Sequence, residues 1–416
     1  MRWLAKGFWA VADQGLFASS NFSLNVLLAR WLSPHDYGAF AVVYTVLLLL
    51  VSFHTGTLTD PMLVFGPGKY RERLSEYLSI LLSGHLYLAA LISLLLLVIS
   101  LGIVVAGLST LSITLLSLVL AGPFILLLYF MRRACYARLK PSLAASGGVL
   151  YLVLMLVGTY TLYRLGALSA ASGFGVMGLS SLVASMWLAV LLGMRPSLLK
   201  STELTREAFE DHWRYGRWGA AGHMIAWAPG NIYFLLLPIW GGLGASASLK
   251  AWLNLIVPIQ HANTALSVLL LPALSSARAT ARFGTVLRFA LMFFVLGSLV
   301  YWLLVGLFHE PLINLLYGGK FRDEDGLLWL LGLVPIGAGV EAVLGAALRI
   351  FGRPDQIFWA YVWSTAVALT LGLITTLVWG LVGAVVGLLA SSVVVAGAMG
   401  YYYASHKENH EGTNRK

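Results

Sequence analysis

Residues 76–105 read EYLSILLSGHLYLAALISLLLLVISLGIVV, thirty positions whose one fully charged side chain is Glu76. A helix needs about twenty apolar residues to cross roughly 30 Å of hydrocarbon, so this stretch spans a bilayer with length left over for tilt. Comparable runs recur along the whole chain. They predict spans at roughly 10–32, 38–59, 76–105, 110–131, 143–164, 167–193, 216–240, 246–271, 286–308, 326–350, 357–378 and 381–403. The fold class that follows is all-α and integral to the membrane, with about twelve transmembrane helices. Bulk composition agrees. With 59% hydrophobic and 11% charged residues among 416, there is too little charge to coat a soluble globule, and lipid must be the solvent.

The polar stretch 194–215, with the amphipathic run LTREAFEDHWRYGRW at 204–218, divides the spans six and six. The expected organisation is an N-lobe over 1–193, a cytoplasmic amphipathic linker over 194–215, a C-lobe over 216–404 and a cytoplasmic polar tail over 405–416. A weak repeat supports the division. WLSPHDYGAFAVVYTVLLLL from Trp31 corresponds to WGGLGASASLKAWLNLIVPI from Trp240, an offset of about 210. Six helices per half keep both halves in one orientation, related by an axis along the membrane normal.

Charge fixes the expected orientation. With the first residues in the cytoplasm, 22 of the 27 Lys and Arg fall on the cytoplasmic side, leaving Arg30, Arg164, Lys250, Lys320 and Arg322 on the far side. This alternation places both termini in the cytoplasm. It also accounts for the net charge of +10 through membrane lipid headgroups, so no nucleic acid partner is expected. Arg2 and Lys6 before an apolar segment look like a signal peptide, but that segment carries Asp13, Gln14, Asn21 and Asn25, which argues for a retained helix. The single cysteine, Cys135, excludes an intrachain disulfide and a thiolate metal cluster.

Polar residues inside a span are costly and usually face a cavity or another helix. Asp13, Phe17, Asn21 and Asn25 share a face of helix 1; His223, Trp227 and Asn231 share one of helix 7, with Pro229 and Gly230 expected to bend it. Lys250, Asn254, Pro258 and His261 share a face of helix 8, and Tyr44, Ser52, Thr55 and Thr59 one of helix 2. Each face alone reads as interhelical hydrogen bonding; together they suggest a polar cleft. Arg30 and Lys250, at the outer edges of these helices, are placed to hold a diphosphate or to snorkel to headgroups. Glu341 lies inside helix 10 with Gly337 and Gly345 one turn to either side. A carboxyl there must be protonated or paired, which suits coupling to a proton or sodium ion or a structural hydrogen bond. Asp60, before Pro61, reads as a cap or gate contact. No phosphate loop, no HExxH pair and no GxSxG elbow is present, and no far-side loop is long, so an enzyme is not expected.

ADQGLFASSNFSLNVLLARWLSPHDYGAFAVVYTVLLLL at 12–50, followed by DPMLVFGP at 60–67, resembles the start of polysaccharide exporters. These form the Wzx-type branch of the multidrug/oligosaccharidyl-lipid/polysaccharide (MOP) superfamily. The resemblance is strongest over roughly 10–75 and elsewhere extends to helix count, repeat and loop lengths. It implies two six-helix lobes in a V, alternating access in the bacterial inner membrane, and a substrate of undecaprenyl-diphosphate-linked oligosaccharide destined for O-antigen, capsule or exopolysaccharide. A polysaccharide polymerase or chain-length regulator is then a candidate partner. Lipid-diphosphate carriers of the superfamily keep a cationic cavity, and Arg30 and Lys250 are the matching positions. Sugar hydroxyls would meet Asn21, Asn25, Asn231, Asn254 and His261. Drug-exporting relatives place coupling acids on helices 1, 7 or 10; here Asp13 and Glu341 stand on helices 1 and 10, and helix 7 has none. No cofactor is expected beyond a coupling H+ or Na+. The competing readings are a cation-coupled drug or metabolite antiporter of the same superfamily, and a membrane glycan polymerase or ligase.

Overall fold

The computed structural model describes residues 2–196, 203–267, 270–278, 282–322 and 326–413, with side chains between 5 and 406. Part of the expected linker, 197–202, and most side chains of the expected tail lie outside these. The described residues contain no strand. In order, the helices are α1 (Arg2–Trp31), α2 (Pro34–Phe65), α3 (Leu74–Val105), α4 (Ser109–Ala137), α5 (Pro141–Arg164), α6 (Ala170–Leu192) and α7 (Glu203–Trp240). They continue as α8 (Gly242–Ser267), α9 (Leu270–Ala277), α10 (Phe283–Leu307), α11 (His309–Tyr317), α12 (Gly326–Ile350) and α13 (Pro354–His406).

Eight of these are long and apolar enough to cross a membrane, or nine if α8 and α9, bent by 40°, form one span. α1 and α7 have the length but carry more polar residues. α13 is 53 residues long, enough for two crossings at 1.5 Å per residue, and its backbone leaves helical geometry at Gly380, φ 54°. With α1, α7 and a doubled α13, helices lie at all twelve predicted positions. The chain is a multi-pass membrane protein. The most apolar helix, α3, has a mean hydropathy of 3.0 yet only 22% of its apolar window buried within the protein. Leu94, Leu95 and Val98 point outward, which is the pattern of a helix solvated by lipid rather than by water.

Packing divides the chain into two compact units, Met1–Met224 and Ile225–Lys416, and the division falls inside α7. α7 runs unbroken through Pro229 and Pro238, so the segment expected as a linker and the seventh predicted span are one helix from Glu203 onward.

Unit 1 is built from α1 packed along α5 and from α4 between α3 and α6. The end of α2 explains why the first part of α7 belongs here. α2 widens into a π-helical turn at Thr55–Thr59, immediately before Asp60 and Pro61. Pro61 has no N–H to offer the carbonyl four residues back, at Thr57. His212 of α7 meets that carbonyl instead, its Nδ1 3.3 Å away. Nδ1 therefore carries the proton, and Nε2 accepts from the Tyr77 hydroxyl at 2.7 Å. Gly56 then lies directly against the α7 backbone: a Cβ built on it would stand 2.4 Å from the Ala220 nitrogen. Around this contact Lys69 bridges Asp211 at 2.7 Å and Glu207 at 2.8 Å, Tyr70 donates to Asp211 at 2.6 Å, and His223 Nε2 pairs with Asp60 at 2.8 Å.

In unit 2, Tyr233 of α7 fills the space between Gly372 and Gly387 of α13, where a Cβ on either glycine would come within 2.7 Å of the ring or its hydroxyl. The hydroxyl shares a hydrogen bond with Ser391 at 3.0 Å.

Burial pushes His212 from 6.5 down to about 4. Burial raises the carboxyl of Asp211, but hydrogen bonds from Lys69 and Tyr70 outweigh it and hold it low. Between pH 6.5 and about 4 the opened clasp binds a proton at His212 that the closed one refuses, so stability falls as pH falls through that window and levels off below it. Hydrogen exchange over 203–220, corrected for intrinsic rates, is expected to accelerate from pH 7 to pH 5 in wild type and to lose that dependence in His212→Gln. Gly56→Val is expected to raise exchange over the same segment at every pH, because its Cβ forces two backbones apart. Unchanged exchange in Gly56→Val would mean that the contact does not hold α7.

Candidate functional site

α1 carries its polar residues every fourth position, and unit 1 uses them as one continuous column. Asp13 is fully buried and held from two sides by Arg132 of α4, whose Nε and Nη2 lie 3.0 and 2.8 Å from the two carboxylate oxygens. The Tyr136 hydroxyl donates a third hydrogen bond at 2.7 Å. The guanidinium of Arg132 lies 3.9 Å over the ring of Phe17, one turn on from Asp13. Phe17 in turn packs on Tyr129 and stacks on Tyr151, whose hydroxyl reaches Asn21 at 3.4 Å. Asn25, one turn further, is buried beside Tyr44. Asp13, Asn21 and Asn25 are thus brought together by α4, α5 and α2 of the same unit. Arg30 closes the helix at its C-terminal turn with an exposed side chain, where a cation complements the helix dipole.

In unit 2 the structure separates the expected residues into two groups. Asn231 bonds back to the Trp227 carbonyl at 2.9 Å, and Lys250 stands 5.9 Å over the ring of Phe234, one turn along from Asn231. Asn254 is buried beside Tyr317, and His261 is exposed on α8. Glu341 lies elsewhere, on the wall of a cavity of about 600 Å³ formed by α8, α9, α12 and α13. The polar groups of the lining are Thr264, Ser267, Glu341, Arg349 and Tyr361. Tyr361 donates to Glu341 Oε2 at 3.2 Å. Gly345 leaves the wall open between Glu341 and Arg349, while Gly337 does something different: a Cβ there would stand 2.3 Å from the Ser392 hydroxyl, so it admits α13. Glu341 and Arg349 lie eight residues apart on α12, and the guanidinium of Arg349 reaches back along the helix, its Nη1 3.9 Å from where a Cβ on Gly345 would stand. The cavity therefore offers a carboxylate, a guanidinium and three hydroxyls to one elongated polar guest.

Three elements escape a reading of the sequence alone. Arg132 counts there as a loop cation, but its partner is 119 residues away and no local pattern announces it. Tyr361 and Arg349 look like ordinary residues near helix ends. Asp60 carries the one signal that was legible, an acid before a proline at a helix end, and it is met by His223.

No protein-family model matches the chain, and no curated protein matches it. Solved structures do. An inward-facing multidrug resistance MATE family transporter of the MOP superfamily superposes with a TM-score of 0.77 at 14% identity, covering 96% of each chain. The lipid II flippase MurJ in an inward closed conformation gives 0.76 at 15% identity, covering 96% of this chain and 87% of that one. A MOP superfamily transporter from Pyrococcus furiosus gives 0.66 at 15%, covering 96% and 94%. These likenesses establish the MOP-type fold.

The Asp13–Arg132 pair yields a prediction of its own. Removing one partner of a buried ion pair leaves an uncompensated charge and costs about 3–5 kcal/mol, whereas replacing both is close to neutral. Arg132→Met is expected to lower thermal stability sharply, and Asp13→Asn combined with Arg132→Met to recover most of it. If the double variant is as unstable as the single one in detergent melts, the pair is not the unit of stability.

Proposed function

We propose that this chain is a transporter, not an enzyme, and that it carries an undecaprenyl-diphosphate-linked oligosaccharide across the bacterial inner membrane by alternating access. Both termini would face the cytoplasm. The observation that carries the reading is the conjunction of a fold shared over nearly the full chain with a lipid II flippase and an N-terminal segment, residues 12–67, like that of polysaccharide exporters. The cavity beside Glu341 supports it physically. An amphipathic cargo with one anionic group and a hydroxyl-rich body matches a wall that carries Arg349 together with Glu341, Tyr361 and Thr264. Carboxylates and tyrosine hydroxyls take sugar hydroxyls well, and a guanidinium grips a phosphate bidentately.

The second reading is a cation-coupled drug or metabolite antiporter. It is favoured by the same carboxylate, since a MATE transporter superposes as well as the flippase does. Under that reading a cation occupies Glu341 and Arg349 is incidental.

The deciding experiment is complementation of surface polysaccharide in a strain lacking its own flippase, with each variant at matched membrane abundance. Wild type is expected to restore surface polymer. Arg349→Ala is expected to reduce it at least about tenfold, the scale of one charge-assisted contact worth about 1.4 kcal/mol or more. Glu341→Gln is expected to reduce transport and to weaken its dependence on the ion gradient while abundance stays normal. Normal polymer from Arg349→Ala, together with drug resistance conferred by the wild-type chain and lost in Glu341→Gln, would move the assignment to the antiporter.

A further inference from the structure

Three arginines stand at the end of α4, and only two of them have partners in unit 1. Arg132 gives Nε and Nη2 to Asp13 and lays its face on Phe17. Arg138 donates to the carbonyl of Leu192, the last residue of α6, at 2.6 Å and to the Ser75 hydroxyl at 3.1 Å. Arg133 is half-buried and makes no hydrogen bond or ion pair among the described residues. Tyr129, one turn earlier on the same helix, is half-buried too, and its hydroxyl makes no hydrogen bond among the described residues. The two groups are close enough for the charge of Arg133 to act on the Tyr129 hydroxyl. That charge also reaches Tyr136, whose hydroxyl is already given to Asp13.

The chemistry of these groups narrows what could meet them. A guanidinium has N–H donors and no acceptor, and a tyrosine hydroxyl has one donor to give. The nearby carboxylate, Asp13, is held by Arg132 and Tyr136, and its charge is balanced by Arg132. Arg133 is therefore the uncompensated charge of the group, and its natural partner is an anion with several acceptor oxygens. Depth says which anions are at hand. α4 has 29 residues, roughly 43 Å at 1.5 Å per residue, against about 40–45 Å for a bilayer with its headgroup layers. Its last turn stands among headgroups, and Arg133, four residues before Ala137, reaches that layer with its long side chain. The anion common to that layer is phosphate. A cation near a helix C-terminus also complements the helix dipole, but that reading gives the unpartnered Tyr129 hydroxyl no part.

We propose that Arg133 and Tyr129 form a binding site for the phosphate of a membrane lipid, within unit 1 and apart from the cavity of unit 2. The guanidinium takes two phosphate oxygens side by side, and the tyrosine hydroxyl donates to the same group from one turn deeper. The Asp13–Arg132 pair serves this site indirectly. It fixes α1 against α4 and keeps the carboxylate from neutralising Arg133. Two lipids carry the required group: a polyprenyl diphosphate and an ordinary anionic phospholipid. The site itself follows from the donors alone, and only its use by a lipid-linked cargo rests on the transport reading given above.

The test is lipid binding by the purified full chain, measured by native mass spectrometry. The probes are undecaprenyl diphosphate, phosphatidylglycerol and, as the uncharged control, undecaprenol. Arg133→Gln is expected to weaken binding of a phosphate-bearing probe at least about tenfold, the scale of one charge-assisted contact. Arg133→Lys is expected to fall between that variant and wild type, because an ammonium cannot grip two oxygens at once. Tyr129→Phe is expected to weaken the same probe by about threefold to tenfold, the scale of one hydrogen bond. Undecaprenol should bind equally to all four proteins. A fall confined to the diphosphate assigns the site to a lipid-linked cargo, and a fall that includes phosphatidylglycerol assigns it to phospholipid headgroups; both support a phosphate site. Unchanged affinity of Arg133→Gln for both phosphates, or an equal loss of undecaprenol, overturns it. Should Arg133→Gln not fold, Arg133→Lys and Tyr129→Phe keep the shape of the site, and wild-type affinity for both phosphates in this pair overturns it equally. Failed polysaccharide complementation leaves these titrations as they are, so the site and the cargo assignment stand or fall separately.

Discussion

Hydrocarbon offers no hydrogen bonds, so each polar group carried into it must be answered from within the chain. The backbone meets this constraint by being helical over most of the described residues. The side chains meet it by pairing over long sequence distances. Asp13 is answered by Arg132, the Thr57 carbonyl freed by Pro61 is answered by His212, and the Tyr233 hydroxyl is answered by Ser391. Each answer fixes one helix against another. The constraint that makes polar residues expensive in a membrane therefore also makes them the registration marks of the fold, while apolar packing alone leaves helices free to slide and rotate.

That logic separates polar groups that are spent from those that remain available. Asp13 has three hydrogen bonds, two of them from a cation, and Arg132 adds the Phe17 face to its carboxylate, so each is already engaged within the unit. Lys69 is shared between Asp211 and Glu207. Glu341 differs, because it accepts from the Tyr361 hydroxyl and faces a cavity. Unit 2 thus holds an acid on a wall roomy enough for a polar guest.

Much of the fold was legible because hydropathy is additive along the chain. Twenty consecutive apolar residues report a span whatever they touch, and the length and placement of α3 could be read directly from residues 76–105. The polar face of α1 was legible for the same reason, since Asp13, Phe17, Asn21 and Asn25 repeat every turn. What the face packs against was not legible. Its partners Arg132, Tyr136 and Tyr151 come from α4 and α5, and periodicity on one helix says nothing about which other helix turns toward it. The start of α7 was blurred by a second effect. Its charges Glu207 and Asp211 look like those of a solvated linker, yet they are bound to Lys69 and Tyr70 on the first turns of the helix Glu203–Trp240. Glu341 could be singled out as an acid in an apolar span, but its distance from Asn231, Lys250 and Asn254 could not.

The separation of Glu341 from the other polar positions of unit 2 bears on the choice between cargoes. A small cation needs a compact cage of oxygens, and the lining near Glu341 offers one carboxylate and hydroxyls spread over α8, α12 and α13. A cationic drug would gain from the carboxylate but would be repelled by the guanidinium of Arg349 in the same cavity. A lipid-linked saccharide has the opposite charge layout, with its anionic group at the lipid end and uncharged hydroxyls beyond. Its phosphate would meet Arg349, and its sugar the carboxylate and hydroxyls of the same wall. A carboxylate and a guanidinium on one cavity wall are thus the feature on which the two kinds of cargo would differ.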